Sequence, residues 1–466
     1  MTISSFRAEL GDIPVEDHPR IVQQRSRDHY WYSPVLKAKL DHVTAEIVVS
    51  PRNNEEVKTV LRAAFKHGIA ITPRGAGTGN YGQAMPLSGG AMLNLMNMDK
   101  VLEIKPDRVR AQAGAVMEKI DQETIAAVGG ELRFHPSTYR MASIGGFIAG
   151  GSGGVGSVRW GGLRNLGSIL GLKVITCEAE PRELDLVGED ILKVAHAYGT
   201  NGIIVEAEMP LAPAHGWIDM VVGFDNYMDA SRFALGVALQ DGLLVKEVST
   251  YAAPIPEAYF NRHKPYLKDG QSVVLLMVAP VAADAMTLFV SHHKGDLRYR
   301  SDKATEEELK RLPPVYELAW NHTTLRALKV DPTITYLQTR YPSLEHLEKI
   351  ISLLGDELPM HIEVTRQDGV VTLAGLPLVR YTTEARLDEI VAIHEANGCD
   401  VFNPHRYTLE EGGMKRTDQK QLDFKRQSDP KGILNPGKMV AWENPDFDFS
   451  AGKVWLFDGL NSVGAA

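Results

Sequence analysis

The stretch from Pro73 to Gly90, PRGAGTGNYGQAMPLSGG, holds six glycines: Gly75, Gly77, Gly79, Gly82, Gly89 and Gly90. Glycine at that density serves backbone that takes positive φ or lies very close against another group. Consecutive amides in a tight turn form a concave donor surface suited to phosphate oxygens. We read the loop as a diphosphate cradle made by Pro73, Arg74, Gly75, Ala76, Gly77, Thr78, Gly79, Asn80, Tyr81 and Gln83. Apolar runs bracket it, Gly68–Thr72 before and Ala91–Leu95 after, which a flexible Gly/Ser linker would lack. Gly77 to Gly82 also spells GxGxxG, but that fingerprint requires a helix starting at the loop. Pro86 and Gly89-Gly90 exclude such a helix, and no GK[ST] follows as a P-loop would need.

Asn403-Pro404-His405-Arg406-Tyr407 joins a base, a cation and a phenol. A histidine can take a proton from a bound hydroxyl, and the fork of an arginine matches the two oxygens of a carboxylate. His405 is the candidate proton acceptor, Arg406 the anion anchor, and Tyr407 a hydrogen-bonding partner for substrate or cofactor. Arg340, Arg366 and Arg380 are the alternative anchors. His361 and Glu363, two apart on an expected strand, share a face and form a second candidate pair. Two ligands are too few for a metal site, so no metal is expected. Trp320-Asn321-His322 and Leu337 to Tyr341 are further stretches able to reach a cofactor, although packing is the commoner role for each alone.

The elements that must position these groups follow from pattern. Ala45–Val49 reads as a strand; Asn53 and Asn54 stand where a helix cap belongs, and Val57, Val60, Leu61, Ala64 and Phe65 mark one helical face closed by Gly68. Strand, helix, strand and cradle make a βαβ unit. Strands are expected at 91–95, 101–104, 109–114, 170–176 and 203–211, with a helix at 116–128. A second glycine-rich block, Ser143 to Gly156, brings backbone close to a flat or anionic object. Beyond Pro213, strands and helices alternate: strands at 218–224, 243–248, 273–278, 334–339, 360–365 and 370–373, helices at 231–239, 282–290, 344–354 and 383–397. Residues 292–312 read as a charged, solvated surface segment, and residues 1–40 as an arm or lid.

Composition narrows the classes. At 466 residues the chain is long enough for two or three domains. Its 50 basic and 59 acidic residues give a net charge of −9, which argues against nucleic-acid binding. Two cysteines, Cys177 and Cys399, with no CxxC, argue against disulfide scaffolds and Fe–S clusters. No apolar stretch is long enough to span a membrane, and the first residues lack the apolar core of a secretory signal. The expectation is a cytoplasmic protein. A homo-oligomer is compatible with the sequence.

The spaced set PRGAGTG (73–79), SIGGFIAGGSGG (143–154), RWG (159–161), GTNGIIVEAEMPLAP (199–213) and DPKGILNPGK (429–438) resembles the vanillyl-alcohol oxidase / p-cresol methylhydroxylase family of flavoenzymes. The resemblance implies an α+β fold: a two-subdomain PCMH-type FAD-binding domain over residues 41–213, an α+β substrate (cap) domain with an antiparallel sheet over 214–400, and a segment, 401–466, returning to the FAD half. It implies that the cradle holds the FAD diphosphate. Pro136, Ser143, Gly145, Gly146, Gly150 and Gly154 would line the diphosphate and ribityl chain, Gly202, Ile203 and Ile204 would meet the adenine end, and Asn435 and Lys438 would lie near the ring system. The branch acting on D-2-hydroxy acids often shows EHGIG where this chain has PHRYTLEEGG, and the Tyr81–Met85 tail resembles the cytokinin-dehydrogenase branch. Covalent branches carry a histidine where Thr78 stands, so non-covalent FAD is implied. The activity implied is oxidation of a CH–OH group of a small molecule, foremost a 2-hydroxy acid, with an electron acceptor outside the chain. The alternatives are a sugar, lactone, phenol or amine oxidase on the same fold, or a flavin-binding subunit of a larger redox complex.

Overall fold

The computed structural model describes residues 2–151, 153–448 and 454–460. The parts of the closing segment at 449–453 and 461–466 therefore lie outside the described residues. Three sheets carry the architecture. The first has the order Val15–Glu16, Ile47–Val49, Ala91–Asn94, Ile71–Arg74, with the last three strands parallel. Its crossover helix, Asn54–His67, is capped by the Asn53 side chain, which accepts from Glu56 N–H, and ends at Gly68 with φ 64°. Val57, Val60, Leu61 and Ala64 are buried against the sheet. The strand leaving the cradle, Ala91–Asn94, inserts between the two strands of the βαβ unit, so both ends of the cradle hang from neighbouring strands.

The second sheet is antiparallel and centres on the eleven-residue strand Ile203–Pro213, flanked by Arg108–Gln112 and Gly171–Ile175. Within the second glycine block Ile144–Gly150 is a helix, with the Ser143 hydroxyl accepting from Gly146 N–H. One of its glycines also permits close packing. A Cβ on Gly145 would stand 2.6 Å from the Ala113 Cβ, so this helix can lie directly on the strand edge only without one.

The third sheet is the antiparallel sheet of the cap, eight strands in the order Asp296–Arg300, Ile218–Phe224, Ser272–Val278, Val245–Tyr251, His361–Gln367, Val370–Gly375, Thr339–Tyr341, Asp400–Val401. Helices Tyr227–Ala238, Ala283–His292, Leu344–Leu354 and Glu384–Ala396 contribute to its buried apolar layer. The charged segment 292–312 contains an edge strand that its composition hides: within DLRYR only Tyr299 is buried. Charged edge strands suppress pairing with other chains, so polarity there does not exclude a strand.

Residues 2–40 wrap the outside of the cradle as short helices and the 3₁₀ turn Tyr30–Tyr32. The closing segment returns to the first sheet: Ile71 and Asn435 exchange backbone bonds with it through Ile71 N to Ile433 O and Asn435 N to Ile71 O, both 2.8 Å. Asp429 organises this return. Its carboxylate accepts from Ile433 N at 3.1 Å and Leu434 N at 2.8 Å and pairs with Lys425 at 2.6 Å, the last two contacts buried. Asp429→Ala would leave the buried Lys425 ammonium with only Thr200 O and both amides without their acceptor. It is expected to cost about 3–5 kcal/mol in denaturant-monitored unfolding, with a loss under 1 kcal/mol contradicting this role.

Candidate active site

A cavity of about 210 Å³, widening into an open mouth, lies between the first two sheets and the cap. Its walls include every residue expected from Pro73 to Tyr81, with Gln83, Pro136, Ser143, Gly145, Gly146, Gly150, Gly154, Gly202, Ile203 and Ile204. The cap contributes Trp320, Asn321, His322 and Gln338, and the N-terminal arm Asp28 and Tyr32.

The cradle has a simple electrical logic. Its carbonyls are taken from behind: Ala76 O by the Arg74 guanidinium at 3.1 Å, Gly79 O by His29 N–H at 2.7 Å, Gly82 O by the Lys438 ammonium at 2.6 Å and Gln83 O by the Asn435 amide at 2.8 Å. The N–H groups of Ala76, Gly77, Thr78, Gly79 and Asn80 have no acceptor among the described residues. The Asn80 Nδ2 and the Tyr198 hydroxyl are also buried without partners at this wall. Gly77 has φ 70°, and a Cβ there would fall 2.1 Å from the Arg74 guanidinium. Donors without acceptors, in a row over a buried cation, fit an anionic diphosphate. Arg74 is turned beneath the loop, where burial pulls its guanidinium down to about 10. Thr78 presents a hydroxyl, 3.4 Å from that of Thr138.

Asn435 and Lys438 do not line the cavity. Asn435 Nδ2 bridges Gln83 O and Tyr198 O, at 2.8 and 2.7 Å, and Lys438 is fully buried under Gly82. They brace the cradle instead of touching its contents, and the sequence motif does not distinguish the two roles.

The 405–407 stretch also lies outside the cavity wall. His405 is buried, with Nε2–H donating to Tyr336 O at 2.8 Å and Nδ1 accepting from the Ser33 hydroxyl at 2.6 Å. Burial pulls its pKa down to about 4, so it is a neutral strut with both ring nitrogens engaged. Arg406 pairs at the surface with Glu384 at 3.2 Å and Asp388 at 3.6 Å. Tyr407 packs behind Gly82, with the Lys438 ammonium 4.9 Å from its ring centre. The alternative anchors are engaged as well: Arg340 with Asp400, Arg366 with Val158 O and Ala238 O, Arg380 with Asp356 O.

His361 and Glu363 do share a strand face, 2.7 Å apart, but sit behind the wall. Their work is to hold Trp320. Glu363 accepts the Trp320 N–H at 2.6 Å, and Glu247 accepts its indole N–H at 3.4 Å. Burial pushes Glu363 up to about 7 and Glu247 well above the usual carboxylate range, and it pulls His361, stacked on Tyr251, down to about 3. Trp320, with φ 54° and ψ −141°, starts the helix Asn321–Leu328 and so sets Asn321 and His322 at the cavity. Gln338 donates to the Tyr81 hydroxyl, joining the cap to the cradle. No group of three or more His, Cys, Asp or Glu among the described residues is placed to hold a metal.

The neutral burial of His405 has a pH signature. The unfolded chain takes up this proton below about pH 6.5, while the folded chain resists until about pH 4. Stability is therefore present above pH 6.5 and lost as pH falls toward 4. Between pH 7 and pH 5 the unmodified protein should lose about 2 kcal/mol more than His405→Gln, read from denaturation midpoints. Identical pH slopes would show that His405 is not held neutral.

Comparison with known proteins now places the chain. A family profile described as an FAD binding domain matches residues 45–185. The chain is 30% identical over 432 residues to glycolate oxidase subunit GlcD of Bacillus subtilis (strain 168), covering 85% of this chain and 89% of that one. It is 27% identical over 197 residues to D-lactate dehydrogenase of Anaerostipes hadrus, covering 40% of each. A solved structure of alkyldihydroxyacetonephosphate synthase superposes with a TM-score of 0.70 at 16% identity, covering 94% of this chain and 85% of that one, a likeness of fold. With its acceptor-free amide cradle and PCMH-type architecture, the chain belongs to the FAD-linked oxidase family and is an FAD-dependent oxidoreductase.

Proposed function

We propose that the protein oxidises the CH–OH group of a small organic molecule, with a 2-hydroxy acid as the leading substrate class. The observation that carries this is the unbroken cavity. It runs from the amides of residues 76–80 to a cap wall of Trp320, Asn321, His322 and Gln338, joined by Tyr32 of the N-terminal arm. Bound FAD supplies the two-electron acceptor for the C–H bond of the substrate. The chain's part is to seat the molecule, exclude water and take the hydroxyl proton. The class rests on the names of the relatives, a glycolate oxidase subunit and a D-lactate dehydrogenase. The word subunit in the first name also favours an electron acceptor or partner chain outside this one. No described helix is long and apolar enough to cross a membrane, and two free, buried cysteines suit a reducing, cytoplasmic setting.

One observation favours a second reading, an uncharged alcohol, sugar or phenol. Arg74 is the one arginine among the lining residues, no lysine joins it, and it is turned under the cradle. An anaerobic panel separates the readings. Glycolate or D-lactate should bleach the flavin band of the purified protein. Bleaching by benzyl alcohol or a phenol alone would support the second reading, and no bleaching by any class would contradict both. The flavin itself is proposed to be FAD held without a covalent bond, since Thr78 offers no imidazole. Acid precipitation should release it to the supernatant, and flavin retained on any peptide would contradict this. Gly77→Val should purify colourless, because the side chain meets both Arg74 and a positive φ. A variant with full FAD content would remove the cradle from cofactor binding.

A further inference from the structure

Of the ionisable groups lining the cavity, most are committed. Asp28 accepts from Tyr30 N–H at 2.9 Å and Ala84 N–H at 3.2 Å. Arg74 is tied to backbone oxygens under the cradle. Tyr32, Tyr81 and Tyr198 are phenols whose pKa values burial raises, Tyr81 to about 12, so they are donors. Glu247, Glu363, His361 and His405, like the buried His135 and His196, are not among the lining residues. His322 is left. It lines the cavity, and its Nδ1 is buried there without a hydrogen-bond partner. The neighbouring Asn321 Oδ1 is likewise unpartnered.

We propose that His322 is the catalytic residue that takes the substrate's hydroxyl proton, at Nδ1, with Asn321 beside it orienting that hydroxyl. This rests on the reading of the chain as a CH–OH oxidoreductase and holds for either substrate class. The step balances simply. The O–H proton goes to the lone pair of Nδ1, giving an imidazolium. The O–H electron pair becomes the second bond of the new C=O. The C–H carbon gives up its hydrogen with two electrons to FAD.

The surroundings keep the acceptor ready. Burial is the main force holding His322 unprotonated, down to about 4. Positive charge presses the same way: Arg326 and Lys329 from its own helix and its end, and His29 from the N-terminal arm. Backbone bonding at Glu317 opposes them, and the Glu317 carboxylate offsets Arg326 at 3.5 Å and Arg140 at 2.8 Å. The ring's place is fixed by Trp320, whose two N–H groups are anchored on Glu363 and Glu247. The sequence signal was the WNH tripeptide alone, which has no chemistry until that anchoring turns it into the cavity.

The test uses FAD-loaded protein and His322→Gln and His322→Ala. The substrate is whichever of glycolate, D-lactate and benzyl alcohol bleaches the unmodified protein fastest. His322→Gln should keep its FAD content and bind the matching carbonyl product (glyoxylate, pyruvate or benzaldehyde) within threefold, read from the flavin absorbance. Its flavin-reduction rate should fall roughly 10²- to 10⁴-fold. The unmodified rate should be flat from about pH 6 to 9, while the variant rate climbs with hydroxide. Added imidazole should restore part of the rate in His322→Ala. Near-normal reduction in both variants, with FAD retained, would overturn the assignment of His322. Failure of the unmodified protein to be reduced by any of the three would instead overturn the functional reading on which it rests, and the assignment with it.

Discussion

Five consecutive amides, Ala76 to Asn80, must stay unbonded to protein while the loop that carries them stays fixed. Much of the structure answers that one constraint. The loop is held through its carbonyls, by four donors drawn from three parts of the chain: His29 from the arm, Arg74 from the strand before, Asn435 and Lys438 from the closing segment. The C-terminal DPKGILNPGK stretch therefore acts on the cradle without lining the cavity. The same donors set the charge. Burial pulls Lys438 down to about 7 and Arg74 to about 10, and it pushes Asp28 up to about 6. A bound anion facing the amides would favour the charged form of both cations, coupling cofactor binding to the rigidity of the loop.

The cap solves a similar problem with acids. Trp320 has a backbone conformation that costs of order 1–3 kcal/mol outside glycine. The bonds from its two N–H groups to buried Glu363 and Glu247 offset that, since a hydrogen bond to a charged group is worth about 1.5–3 kcal/mol. Burial raises both carboxyls; the neighbouring Glu363 raises Glu247 further, while the hydrogen bonds from Glu247 and from Trp320 N–H pull Glu363 back down. Their proton keeps the pair tolerable, and one remaining negative charge is enough to grip the indole segment. The cap wall is thus held in place by groups that stand behind it.

The sequence made the cradle legible because glycine spacing and the absence of a following helix each have one physical meaning. The helix Asn54–His67 and the strand Ile218–Phe224 were legible from caps and apolar runs. The cap wall was not. Trp320 owes its place to carboxylates 43 and 73 residues away, and no local pattern carries such a partnership. His405 misleads for the opposite reason: its neighbours look chemical, yet Ser33, 372 residues earlier, takes one nitrogen and Tyr336 O the other. Asn435 and Lys438 are polar and buried in either role, so composition alone could not tell a brace from a ligand.

The account stands most directly on the unbonded amides. Hydrogen exchange of residues 76–80, compared in apoprotein and in protein reconstituted with FAD, measures them one by one. The account predicts fast exchange in the apoprotein and strong protection on FAD binding, with the amides of Ile71 and Asn435 protected in both. Equal exchange at residues 76–80 with and without FAD would contradict it.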